Sequence, residues 1–166
     1  AGQTVTQAAT TGDNYILRTP DGFYLELIEG GNQTVVYGAD GLNDTIDGGA
    51  GNDTIYGEFG DDSIFGGNGS DLIYGGEGND FINAGEQADT VYGGFGNDTI
   101  DVSGGLDLAY GEAGEDLLID GSTGGLATTL YGGDGNDTIQ SGTGTGAAQY
   151  FGDAGDDRFE DRGGTN

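Results

Sequence analysis

The nonapeptides GGAGNDTIY (48–56), GEFGDDSIF (57–65), GGNGSDLIY (66–74), GGEGNDFIN (75–83), AGEQADTVY (84–92) and GGFGNDTID (93–101) follow one another without a break. VSGGLDLAY (102–110) and GEAGEDLLI (111–119) keep the frame. GGDGNDTIQ (132–140) and GDAGDDRFE (152–160) resume it after irregular stretches, and 38–47 is the same unit with Leu42 inserted. A period this short marks a solenoid, in which each unit buries its apolar face only against its neighbours. The glycine-rich half of each unit makes a tight turn needing φ > 0 and close backbone approach. The other half alternates polar and apolar residues, which is a short strand. Its eighth residue points inward, giving the column Ile46, Ile55, Ile64, Ile73, Ile82, Val91, Ile100, Ala109, Leu118, Leu130, Ile139, Tyr150 and Phe159. Two units form a coil of 18 residues. About seven stacked coils, at about 4.8 Å each, predict a rod of roughly 34 Å with two parallel sheets.

The rest of the composition says what such a rod needs. Thirty acidic residues face three arginines, for a net charge of −27, and 39 residues are glycine. Self-repulsion and backbone entropy would keep this chain unfolded unless something cationic joins the folded state. With no cysteine and no histidine, disulfides and thiolate or imidazole zinc sites are excluded. Arg18, Arg158 and Arg162 cannot track a phosphate backbone, which argues against nucleic acid. No apolar run reaches the length of a membrane-spanning helix. Catalysis is not expected, because the carboxylates are equivalent rather than split into acid and base, and there is no His, Cys or Lys to assist them.

Position six is the chemical element: Asp44, Asp53, Asp62, Asp71, Asp80, Asp89, Asp98, Asp107, Asp116, Asp137 and Asp157. Stacking identical turns sets these carboxylates in columns a few ångströms apart, which demands a counter-ion. A hard cation taking about six to eight oxygens fits the donor set, and Ca²⁺ fits better than Mg²⁺, which holds its waters. The spacing is not that of an EF-hand.

The pattern G-G-x-G-x-D-x-U-x resembles the repeat of the RTX (repeats-in-toxin) family, with five units matching at every defined position across roughly 38–160. The resemblance implies an all-β, right-handed parallel β-roll, calcium held between neighbouring turns, and type I secretion of an unfolded bacterial chain. It also implies turn carbonyls as ligands, here Gly49, Gly51, Gly67, Gly69, Gly76, Gly78, Gly94, Gly96, Gly133 and Gly135.

Alternate units fall on the same edge of the rod. One edge carries Asp44, Asp62, Asp80, Asp98, Asp116, Asp137 and Asp157 without loss. The other carries Thr34, Asp53, Asp71, Asp89, Asp107, Thr128 and Ala148, and its turns are the altered ones, at 84–87, 102–103, 120–131 and 141–151. About six Ca²⁺ are expected along the complete edge and roughly two to three near Asp53, Asp71 and Asp89, about eight to nine in all. Position nine is also asymmetric. Tyr37, Tyr56, Tyr74, Tyr92, Tyr110, Tyr131 and Phe151 end the units of one sheet, predicting an outward aromatic ladder. Such a ladder either stabilises the coils by cross-strand pairing or offers a face for a glycan, an adjacent domain or a second copy. A regular Thr/Asn array for ice is not present, since position seven alternates Thr with Leu.

Residues 1–13 are expected to be a poorly ordered tail. The segment 14–29, with Thr19-Pro20-Asp21-Gly22 between YILR and FYLEL, reads as a β-hairpin cap. The roll spans 30–160, and 161–166 reads as a tail cut from a longer chain. The function expected from all this is a calcium-induced, non-catalytic module of a secreted or cell-surface protein. The alternatives are a surface- or polysaccharide-binding module, or the accessory domain of a secreted protease, lipase or epimerase.

Overall fold

A computed structural model of the chain describes residues 5–6, 16–18, 24–26, 35–38, 41–123 and 127–163. Numbered along the chain, odd strands form one parallel sheet and even strands another. The nine-stranded sheet runs β1 (Val5–Thr6), β3 (Tyr24–Glu26), β5 (Thr45–Asp47), β7 (Ser63–Asn68), β9 (Phe81–Glu86), β11 (Thr99–Val102), β13 (Leu117–Asp120), β15 (Thr138–Gln140) and β17 (Arg158–Glu160). The eight-stranded sheet runs β2 (Ile16–Arg18), β4 (Val35–Tyr37), β6 (Thr54–Phe59), β8 (Leu72–Glu77), β10 (Thr90–Phe95), β12 (Leu108–Ala113), β14 (Thr129–Asp134) and β16 (Gln149–Ala154). Because consecutive strands alternate between sheets, every neighbour within a sheet lies one coil away. This is the expected parallel β-roll, and no helix occurs among the described residues.

Register follows the repeat. Ile46 pairs with Ile64 and Ile64 with Ile82, while Ile55 pairs with Ile73 and Ile73 with Val91. The position-eight residues from Ile46 to Ile139 are buried between the sheets. Tyr150 is only partly buried against this core, and Phe159, expected inside, is 55% exposed. Among the described residues no coil lies beyond Phe159 to cover it.

Three features depart from expectation. Strands are longer than the x-U-x half: β6, β8, β10, β12, β14 and β16 each run six residues, through position three of the following unit. The main chain keeps its ladder through the glycines, as where the Asn68 N–H donates to the Gly49 carbonyl at 2.7 Å. Position one is therefore a second inward position, and Ala84 and Val102 enter the core there. Among the described residues the expected hairpin pairing does not form. Ile16–Arg18 pairs parallel with Val35–Tyr37 and Tyr24–Glu26 pairs parallel with Thr45–Asp47, so the two segments stand in opposite sheets as an additional coil. The Thr19-Pro20-Asp21-Gly22 turn itself lies outside the described residues. Finally, Val5–Thr6 pairs parallel with Leu25–Glu26; the other residues of 1–13 lie outside the described residues.

Candidate metal centres along two turn columns

Each coil turns back at two edges, and the aspartates of position six line both. From Asp44 to Asp137 they are nearly inaccessible, Asp98 and Asp137 being 1% exposed, while Asp157 in the last coil is only partly buried. Stacking interlocks them. The Asp62 N–H donates to Asp80 Oδ1 at 2.8 Å, the Asp80 N–H to Asp98 Oδ1 at 2.8 Å and the Asp98 N–H to Asp116 Oδ1 at 2.8 Å. With the links Asp44 to Asp62, Asp116 to Asp137 and Asp137 to Asp157, this edge carries an unbroken run along its length. The other edge holds Asp53 to Asp71, Asp71 to Asp89 and Asp89 to Asp107, and stops where Thr128 takes the next place.

In eight of these carboxylates one oxygen is used and the other is not. Oδ2 of Asp62, Asp71, Asp80, Asp89, Asp98, Asp107, Asp116 and Asp137 is buried with no hydrogen-bond partner. A buried carboxylate oxygen without a donor is costly. Burial accordingly pushes these groups up. Asp62 and Asp98 rise to about 7 and Asp89 to about 8, while Asp107 and Asp116 reach about 6. The N–H donated from the previous coil pulls each back, and neighbouring carboxylates, such as Asp80 and Asp44 around Asp62, push further.

The spare oxygens share their surroundings with main-chain carbonyls. A Cβ placed on Gly57 would lie 2.6 Å from Asp62 Oδ2 and would also strike the Gly75 carbonyl one coil on. Gly75 with Asp80 and Gly93, and Gly93 with Asp98 and Gly111, repeat the arrangement. Position one on this edge is glycine because a carboxylate and a carbonyl already meet there. These position-one carbonyls escaped the sequence argument, which named positions two and four. At position two, Gly49, Gly67, Gly76, Gly94 and Gly133 adopt φ of 84–122°. At position four, Gly51, Gly69, Gly78, Gly96 and Gly135 adopt φ of 124–145°. The carbonyl oxygens of Gly51, Gly60, Gly78 and Gly96 each fill the space a Cβ would take on the corresponding glycine one coil on. Among the described residues no three carboxylate, imidazole or thiolate side chains converge. A cation here has to be held by one or two aspartates and main-chain oxygens, an all-oxygen set that suits Ca²⁺.

A second column also escaped the sequence argument, though its signal was the Asn or Asp that precedes the position-six aspartate. The Asp61 N–H donates to Asn43 Oδ1 at 3.0 Å, the Asn79 N–H to Asp61 Oδ1 at 2.8 Å and the Asn97 N–H to Asn79 Oδ1 at 2.8 Å. These exposed bonds run opposite in direction to the aspartate links and tie the same coils together.

The tyrosine ladder forms as expected. From Tyr37 to Phe151 successive rings stack at 4.8–5.1 Å with interplanar angles of 2–10°. Beside it runs a groove of about 330 Å³ lined by Tyr56, Tyr74, Tyr92, Phe59, Phe95, Glu58, Glu77 and Glu112.

The model of the RTX calcium-binding nonapeptide repeat matches the chain four times, over residues 38–73, 65–100, 92–122 and 122–145. No curated protein and no solved structure matches it.

Proposed function

The chain belongs to the family of RTX calcium-binding nonapeptide repeats, and from that membership we propose that it is a calcium-responsive, non-catalytic module of a secreted or cell-surface bacterial protein. The observation that carries this is the column of buried, unpartnered Oδ2 atoms from Asp62 to Asp137. Asp44, Asp53, Asp62, Asp71, Asp80, Asp89, Asp98, Asp107, Asp116, Asp137 and Asp157 would hold the ions with turn carbonyls. Bound Ca²⁺ supplies the positive charge and the oxygen coordination that the columns lack. In calcium-poor cytosol the aspartates repel and the chain stays loose, a form compatible with type I export. Outside, neutralised carboxylates let the coils stack, so binding free energy becomes folding free energy. About eight ions would bring the charge from −27 to about −11, leaving the rod acidic and soluble.

The test is far-UV circular dichroism of the full chain at neutral pH. Strand signal should appear on adding millimolar Ca²⁺ and vanish in excess chelator. A β-rich spectrum that survives the chelator sinks the proposal.

A second role is favoured by the groove along the aromatic ladder, where Phe95 is 67% exposed: attachment to a neutral glycan, a neighbouring domain or another copy. Tyr74→Leu and Tyr92→Leu separate this from plain stabilisation. Lost association at unchanged melting temperature supports attachment, and a lowered melting temperature alone supports stacking.

A further inference from the structure

The altered edge does not simply end at Asp107. In the turn 120–128, Asp120 occupies position one, where the complete edge has glycine, and Thr128 occupies position six, where it has aspartate. The repeat geometry says where a side chain at position one goes. A Cβ there lies against Oδ2 of the aspartate in its own turn, at 2.6 Å for Gly57 and Asp62 and 2.7 Å for Gly66 and Asp71. Asp120 thus occupies the position that in a regular turn faces the aspartate's Oδ2, and it is 2% exposed. Its strand pairs Val102 with Asp120, directly beside the turn that ends in Asp107. Thr128 follows Asp107 along the column, since the Thr129 N–H donates to the Asp107 carbonyl at 2.8 Å.

Two further observations point to a ligand. Asp107 Oδ2 and Thr128 Oγ1 are buried with no hydrogen-bond partner, in residues 2% and 0% exposed. Asp120 itself is held in place: the Ser122 N–H donates to its Oδ1 at 2.9 Å and the Tyr150 hydroxyl to its Oδ2 at 2.7 Å. Each oxygen keeps a lone pair after that. The Asp107 carboxyl also senses it, since burial raises that group first and the Asp120 charge adds to the effect. A second carboxylate set beside an unpartnered buried one worsens repulsion unless a cation lies between them.

We propose that Asp107, Asp120 and Thr128 hold one further hard divalent cation, with Asp120 supplying from position one the carboxylate that the turn lost at position six. The donors are all oxygen, two carboxylates and a hydroxyl, which selects Ca²⁺ over a nitrogen- or sulfur-seeking metal. Tyr150, an inward position that carries a phenol instead of an aliphatic side chain, acts as a positioning residue by orienting Asp120. The inference rests on the calcium reading of the regular turns.

The experiment counts bound Ca²⁺ on the full chain by native mass spectrometry and calorimetry. Asp120→Asn, which keeps shape and acceptor but not charge, should bind one ion fewer than the unaltered chain. Thr128→Val should weaken that ion at least about tenfold. Tyr150→Phe should keep the full count but weaken that ion, because Asp120 loses the donor that orients it. An unchanged count in Asp120→Asn and an unchanged affinity in Thr128→Val would overturn the inference. So would an unchanged affinity for that ion in both Tyr150→Phe and Thr128→Val, which leaves neither the phenol nor the hydroxyl acting on it. An unaltered chain that binds no Ca²⁺ defeats the calcium reading of the regular turns, and this inference with it. Those results are distinguishable, and Thr128→Val decides the matter should Asp120→Asn fail to fold.

Discussion

The two edges of this rod are made by the same repeat and have diverged. Along the edge from Asp44 to Asp157 every turn keeps its aspartate, its position-one glycine and the link to the next coil. Along the other, position one reads Gly48, Gly66, Ala84, Val102, Asp120 and Ser141, all buried, and the aspartate links stop at Asp107. A side chain at position one thus grows inward as the carboxylate column fades. The lesson is that the two columns exchange currencies, charge on one side for packing and local hydrogen bonds on the other. Asp101 with Ser103, Asp120 with Ser122 and Tyr150, and Ser141 with Asp161 are such replacements.

The comparison can be broken most drastically by pH without calcium. The buried aspartates have folded-state values raised from the ordinary carboxylate range to about 6–8. The folded form therefore binds protons more tightly than the unfolded one. Proton-linked stability is fully present below about pH 4 and is lost as pH rises through about 6–8. In chelator, circular dichroism at pH 5 should show strand content that disappears by pH 8. Equal unfolding at both values would mean the columns do not govern folding.

A smaller effect, but still of several kcal/mol, comes from the backbone. A methyl on Gly78 would be driven into the Gly60 carbonyl, at a φ of 137°. Gly78→Ala should cost on the order of 3 kcal/mol or more in calcium-saturated denaturation. The equivalent place on the altered edge is Gln87, already strained at φ 76°. Gln87→Gly should stabilise by about 1 kcal/mol. Changes of the same sign at both sites would contradict the difference between the edges.

Smaller again is the contrast within the columns. The Asp98 carboxylate accepts the Asp80 N–H, whereas the hydroxyl of Thr128, at the same position on the altered edge, has no hydrogen-bond partner. Asp98→Ala strands a buried N–H and should lose about 1–3 kcal/mol, and Thr128→Ala less than half of that, read as shifts in chemical denaturation in chelator at pH 5. Equal losses would make the two columns energetically alike.

Much of this was legible in the residues. The isoleucine column follows from a period of two inside a period of nine, and so do both sheets and the tyrosine ladder, because every coil repeats the same φ/ψ sequence. The aspartate columns follow as well. What was not legible was any property set by the next coil. Position one looks like turn in the sequence and is core or ligand wall in the rod, as Val102 and Asp120 show. The Asn43–Asp61–Asn79 bonds join residues a whole coil apart. The turn signal between YILR and FYLEL does not say which strands those segments pair with, and they pair with Val35–Tyr37 and Thr45–Asp47.

The sequence by itself determined the repeat, its inward residues, the charge that requires a cation and the inequality of the two edges, since all of these are local or periodic. Only the tertiary structure decided which carboxylate oxygen is left without a donor, where Asp120 points, and that Ile16–Arg18 and Tyr24–Glu26 join opposite sheets. The reason is physical. In a solenoid each residue's partners come from the coils before and after it, so local propensity sets its conformation, and stacking alone sets what it touches.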